Sequence, residues 1–209
     1  MKFKCVALDF DDCLAHHNDD YTGLFDIFIK QGFSESVVRG AYEETHARGG
    51  FSFDNFIDVL KNKGEIGENT EELKKKFDEW VSLSLLLYPD VKDFLVQVKL
   101  LKIPVAIVTF GDSEHQKEKV LSTGVLYDYL YVIPRKGEKF TVLEELMADY
   151  GAPIAFVDDK PEELDNVREH FTADEVKLFR IIRPRGRHIE AKPRFEYPKI
   201  ENLTEILSQ

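Results

Sequence analysis

At 209 residues with 43% hydrophobic content, the chain can bury one large core, or a core with a smaller appended domain, without disulfide or metal staples. A net charge of −11 and a pI near 5.1 set it against general binding of nucleic acid or acidic membrane, whose phosphates would repel it at long range. No apolar run approaches the ~18 residues needed to span a bilayer and no leader pattern is present, so the expected location is the cytoplasm; its two thiols, Cys5 and Cys13, lie roughly 25 Å apart if the segment between them is extended, too far to bridge.

Residues 3–9, FKCVALD, make a continuous apolar run with aromatic and β-branched members, which predicts a short buried strand that exits into charge. From about residue 20 to 87 the apolar spacing becomes helical. Four helices are expected there: GLFDIFIKQ, SESVVRGAYEETHAR opened by Ser34, SFDNFIDVLKNKG closed by Gly64, and NTEELKKKFDEWVSLSLLL opened by Asn69 or Thr70. Phe25, Phe28, Tyr42, Phe56, Phe77 and Trp80 read as the core of that helical stretch.

After Pro89 strands and helices alternate: a helix over 90–101, a strand over 103–109, and a helix opened by the capping pattern of Ser113 to Gln116 and ended near Gly124. Then come the strand YLYVIP, a helix from Thr141 to Tyr150, the strand IAFVDD, a helix begun by Pro161, the strand VKLFRIIR and a closing helix around NLTEILS. Such alternation predicts an α/β fold with a mainly parallel sheet covered on both faces. The expected organisation is a three-layer, Rossmann-like core from residues 1–14 and 88–209, with a helical domain, 15–87, inserted at the exit of the first strand.

In open parallel sheets, ligands bind beyond the carboxyl ends of the strands. Three strands here deliver polar groups to that edge: Asp9-Phe10-Asp11, then Thr109-Phe110-Gly111-Asp112, then Asp158-Asp159, with Lys139 just ahead of a helix. Each signal is weak alone in a chain with 39 acidic residues, and strong in this order at the ends of apolar strands. A different cluster lies in RIIRPRGRHIEAKPR, 180–194, where Arg180, Arg183, Arg185, Arg187, Lys192 and Arg194 face the single acid Glu190. It reads either as a solvated loop that offsets acidic neighbours or as a contact for an anionic substrate or partner.

The order and spacing of these groups resemble the haloacid dehalogenase superfamily across nearly the whole chain. VALDFDDCL matches the first motif, VAIVT the second, Lys139 (with Lys136 as the alternative) the third, and IAFVDD the fourth; the helical insertion resembles the α-helical cap of many members. Two departures stand in the first motif, where Asp12 replaces the usual glycine and Cys13 the usual threonine or valine.

The resemblance implies phosphoryl transfer in which Asp9 attacks a phosphate monoester to form an aspartyl-phosphate, and Asp11 protonates the leaving alcohol and later deprotonates water. Thr109, with the backbone at Phe110 and Gly111, would bind phosphoryl oxygens, and Lys139 would neutralise the nucleophile and the developing charge. Carboxylates so close repel by about 4 kcal/mol per pair at an effective dielectric near 20, which calls for a divalent cation. All-oxygen ligands favour Mg²⁺, held by Asp9, the backbone oxygen of Asp11 and Asp159, with Asp158 either a direct ligand or bound through water. Asp11 favours phosphoryl chemistry over dehalogenation, because a halide leaves without a proton. The expected activity is a Mg²⁺-dependent phosphatase of a small phosphorylated metabolite; a phosphomutase of the beta-phosphoglucomutase type and a catalytically silent binding module remain alternatives.

Overall fold

The computed structural model describes residues 3–64, 66, 67 and 69–208. Among these, β1 (Cys5–Leu8) is followed by β2 (Ala15–His17) and β3 (Leu85–Leu87), which form a two-stranded ribbon. β1 itself belongs to a six-stranded sheet with β4 (Val105–Phe110), β5 (Tyr129–Ile133), β6 (Ile154–Asp158), β7 (Val176–Ile181) and β8 (Lys199–Ile200), in the order β5-β4-β1-β6-β7-β8. β1 pairs in parallel with β4 and β6, β6 with β7, and β7 with β8.

All four residues of β1 are buried, which is why its sequence is apolar without alternation: helices cover both faces of the sheet. The chain runs from β1 outward in both directions, an order that leaves helices on opposite sides of the sheet. In sheets of this kind ligands bind where the strand order reverses, which here is the edge at the carboxyl ends of β4, β1 and β6. Register brings the motifs level there, since Leu8 pairs with both Ile107 and Val157, so Asp9, Thr109 and Asp158 all emerge at one edge.

The helical segments are α1 (Thr22–Ile29), α2 (Glu35–Ala47), α3 (Phe53–Lys61), α4 (Thr70–Ser84), α5 (Val91–Leu100), α6 (Ser113–Ser122), α7 (Lys139–Tyr150) and α8 (Pro161–His170), then a 3-10 turn at Leu203–Ser208. Ser34, Ser52 and Asn69 cap α2, α3 and α4, their side chains accepting from the amides of Val37, Asn55 and Glu71.

Four local expectations need correction. The helix expected through residue 87 stops at Ser84, because Leu85–Leu87 extend to pair with β2. α6 is capped by Asp112, whose carboxylate accepts from the His115 amide at 2.9 Å, and not by Ser113. α7 begins at Lys139 rather than Thr141, whose hydroxyl instead donates to the Glu138 carbonyl at 2.8 Å. The closing helix is of the tighter 3-10 kind.

The chain divides into two compact units. One takes in the residues up to His16, Leu87–Thr109 and Val125 onward; the other takes in His17–Leu86 and Phe110–Gly124. The helical unit is thus larger than the 15–87 read from the sequence, since α6 packs on α4 and His115 lies against Phe51 and Phe77, with ring centroids 5.3 and 5.7 Å away. Phe28 and Phe56 meet edge to face at 4.9 Å in that unit, both fully buried, each side chain worth about 1.5–3 kcal/mol of burial.

Candidate active site

Asp9 is fixed at the end of β1 by its amide, which donates to the Val157 carbonyl at 2.9 Å. The loop that follows closes on itself: the amides of Leu14 and Ala15 both donate to the Phe10 carbonyl, at 2.9 and 3.0 Å, and the Asp12 amide donates to the Ala15 carbonyl at 2.8 Å. Asp12 takes a left-handed conformation there, φ 58°. That region favours glycine, and among residues with a Cβ it best tolerates Asn and Asp, so the departure from glycine preserves the turn. Two arginines of the basic segment hold this loop. Arg183 Nε donates to the Cys13 carbonyl at 2.9 Å, and Arg187 Nε donates to Asp12 Oδ2 at 2.6 Å.

Lys139, at the first residue of α7, packs beneath the sheet edge and is 3% exposed. Its ammonium donates to Asp9 Oδ1 at 2.5 Å and to Asp158 Oδ2 at 2.7 Å. The other Asp158 oxygen accepts from the Lys160 amide at 2.9 Å, which orients it at the start of α8. Asp9, Asp158 and Asp159 each offer a carboxylate oxygen, and the three lie within 4.8 Å of one another, all buried. Asp159 Oδ2 is buried without a hydrogen-bond partner.

One ammonium among three buried carboxylates leaves negative charge uncompensated, and the acidities record it. Burial pushes the Asp9 carboxyl up to about 7, against the pull of Lys139 and with further upward pressure from Asp158 and Asp11. Burial, then Asp158, Asp9 and Asp12, push Asp159 up to about 9. Burial also raises Asp158, with Lys139 opposing. Lys139 itself is raised, because its burial is outweighed by Asp158 and Asp9. The donor set fits a hard divalent cation: three carboxylates, one of them with an orphaned buried oxygen, are what such an ion satisfies.

Thr109 is buried near the end of β4, one residue beyond the position that the register sets level with Asp9. Phe110 and Gly111, which follow it, belong to the helical unit; Gly111 has φ 146°, and a Cβ there would stand 2.9 Å from Gln116 Nε2, so only glycine fits. Asp11 is half-buried and its backbone bridges to Ala15. Cys5 and Cys13 are buried and unbridged, their thiols pushed upward by burial, Cys5 to about 12, so neither is a ready thiolate. His17, at the end of β2, bonds Ser84 Oγ at 2.7 Å and stacks on Trp80 at 4.4 Å, which is a packing role.

Sequence reading had not placed Arg183 or Arg187 at the first motif. The signal was the basic density of 180–194, but nothing local in it names Cys13 or Asp12 as the partner.

A family model described as haloacid dehalogenase-like hydrolase matches residues 3–165. No curated protein sequence matches the chain. Among solved structures, an L-2-haloacid dehalogenase superposes with a TM-score of 0.69 at 13% identity, covering 100% of this chain and 99% of that one. A predicted phosphoglycolate phosphatase from Haemophilus somnus gives 0.60 at 17% identity, with 100% and 98% covered. A structure described as a beta-phosphoglucomutase from Thermotoga maritima gives 0.63 at 16%, with 98% and 96% covered. At such identities the likeness is one of fold, and the three descriptions span three activities.

Proposed function

This chain belongs to the haloacid dehalogenase-like hydrolases, and from that membership we propose that it is a Mg²⁺-dependent phosphatase of a small phosphorylated metabolite, acting through an aspartyl-phosphate on Asp9. The observation that carries the reading is the Asp9 carboxylate held by Lys139 at 2.5 Å inside the Asp9, Asp158 and Asp159 group, with a second carboxyl, Asp11, two residues on.

In this reading Asp9 attacks phosphorus, displacing the alcohol, and Asp11 supplies the proton that the leaving oxygen takes up. Water then opens the acyl phosphate, with Asp11 accepting its proton, so that Asp9 is regenerated and inorganic phosphate leaves. Lys139, sharing its charge between Asp9 and Asp158, opposes protonation of the nucleophile, and Thr109 with the backbone at Phe110 and Gly111 binds phosphoryl oxygens. Asp9, Asp158, Asp159 and the Asp11 carbonyl would hold the cation, which when bound neutralises the carboxylates and the phosphoryl group. The helical unit corresponds in chain order to the cap that many members of the family insert after the first motif, and the two unbridged thiols accord with a cytoplasmic setting.

Hydrolysis of an aryl phosphate with Mg²⁺ tests this directly. Asp9→Asn is expected to lose on the order of 10³-fold or more in kcat, and a chelator to abolish turnover. Undiminished activity in Asp9→Asn overturns the covalent mechanism. Rearranged phosphosugar without free phosphate points to the mutase, and inertness toward every ester to a binding module.

A further inference from the structure

A cavity of about 600 Å³ lies wholly within the unit that carries the six-stranded sheet, between β7, the last turn of α8 and the chain over 195–198 that leads into β8. Small-molecule sites run from about 300 to 1,000 Å³. β8 is two residues long and pairs with β7 only at Arg180 and Ile181. Ahead of that pairing the chain is tied to α8 instead: the buried Asp165 carboxylate accepts from the Arg194 amide at 2.8 Å and from the Tyr197 hydroxyl at 2.7 Å. The gap this leaves beside β7 is the cavity.

Strand parity decides which backbone groups face it. The Arg180 amide donates to the Pro198 carbonyl at 2.9 Å and the Val176 amide to the Thr172 carbonyl at 3.1 Å, so the even-numbered residues of β7 turn away from β6. Leu178 stands between them, and a continued ladder would need an N–H from Pro198, which has none. Among the described residues the Leu178 amide and carbonyl find no backbone partner, although the residue lines the cavity and is only 9% exposed. Buried backbone groups are seldom left so. One unpaired residue is too few for a peptide to add as a strand, so the opening suits a small molecule.

The side chains state the chemistry. Phe3 and Phe179 meet edge to face at 6.1 Å, and Phe195, 44% exposed, and Tyr197 add two more rings to the lining. Arg168 and Lys177 line the cavity too, and neither side chain has an ion pair or hydrogen bond among the described residues. Arg168 stands close enough to the Tyr197 hydroxyl to oppose the rise that burial and Asp165 impose on it. One acid, Glu196, is set against these two cations.

We infer that this cavity binds a small aromatic carboxylic acid, with its ring among the four rings and its carboxylate on Arg168, Lys177 and the Leu178 amide. An aromatic α-amino acid offers the same ring and carboxylate, with an ammonium that Glu196 and the Leu178 carbonyl would accept. None of Asp9, Asp158 and Asp159 lines the cavity, so the inference stands apart from the phosphatase reading.

Calorimetric titration of the full chain in chelator tests this with compounds that share one ring: indole-3-propanoate, the neutral indole-3-propanol, and tryptophan. Indole-3-propanoate is expected to bind with a Kd below about 1 mM, and the alcohol about tenfold or more weakly, because it cannot make charge-assisted bonds. Arg168→Gln combined with Lys177→Gln is expected to raise the Kd of the acid about tenfold or more, and to leave the melting temperature and the Kd of the alcohol in place. Phe195→Ala is expected to weaken acid and alcohol alike. Tighter binding of tryptophan, lost in Glu196→Gln, supports the amino acid; tighter binding of the propanoate supports the plain acid. Equal affinity for acid and alcohol, or an acid Kd untouched by the double variant, overturns the inference. So does the absence of binding by either acid up to about 5 mM.

Discussion

Asp159 is the residue on which the acidic group turns, because it is buried beside Asp158 and Asp9 without a bonding partner for Oδ2. Its carboxyl is pushed up to about 9 from an ordinary 3.8, so without metal the folded chain keeps a proton that the unfolded chain releases above about pH 4. The sign follows: the folded state binds more protons in that window, so stability falls as pH rises from about 4 toward about 9. In chelator, Asp159→Asn removes the titration, and its melting temperature is expected to gain on the wild type steadily from pH 5 to 9, by about 2–4 °C for each kcal/mol recovered. Thermal unfolding of both proteins across that range checks this, and a pH-independent difference would contradict it. Asp12 and Arg187 make a second point at this scale. A residue that departs from the family pattern is explained by its backbone angle and its partner together, and neither alone suffices.

At the scale of elements, the loop after β1, the start of α5 and the segment leading into the terminal 3-10 turn meet on one arginine. Arg183 donates to the Cys13 carbonyl, to Asp90 Oδ1 at 2.8 Å and to the Glu201 carbonyl at 3.1 Å, and its guanidinium lies 4.4 Å over the Tyr88 ring. Asp90 in turn accepts from the Leu203 amide at 2.8 Å. Both side chains are buried, at 3% and 8% exposure, so removing one strands the other. Arg183→Met is expected to cost about 3–5 kcal/mol, read by urea denaturation, because a buried pair broken on one side leaves an uncompensated charge. A loss within about 1 kcal/mol, the value of an exposed pair, would show the network to be unimportant. The buried network also shows that 180–194 is not one solvated basic loop: Arg180 and Arg183 are interior, Arg194 bonds Glu169 at 2.6 Å, and Arg183 and Arg187 both bond the first motif.

For the whole molecule, the unit that carries β1, β4 and β6 is expected to gain stability from the cation that its acidic group fits. Mg²⁺ at a hundred times its dissociation constant adds about 2.7 kcal/mol, or roughly 5–10 °C in a chain of this size, and Asp159→Asn should lose most of that rise; calorimetry with and without Mg²⁺ measures both. What the sequence determined by itself was the alternation of strands and helices, the helical insertion after the first strand, and the order of acidic strand exits, because apolar periodicity and turn chemistry are local properties. It misjudged the end of α4, since only the partner strand β2 turns Leu85–Leu87 from helix into strand. Tertiary structure alone decided which groups meet. Lys139 finds Asp9 across 130 residues and Arg187 finds Asp12 across 175, and no local propensity encodes contacts that exist only once the sheet has set its strand order and register.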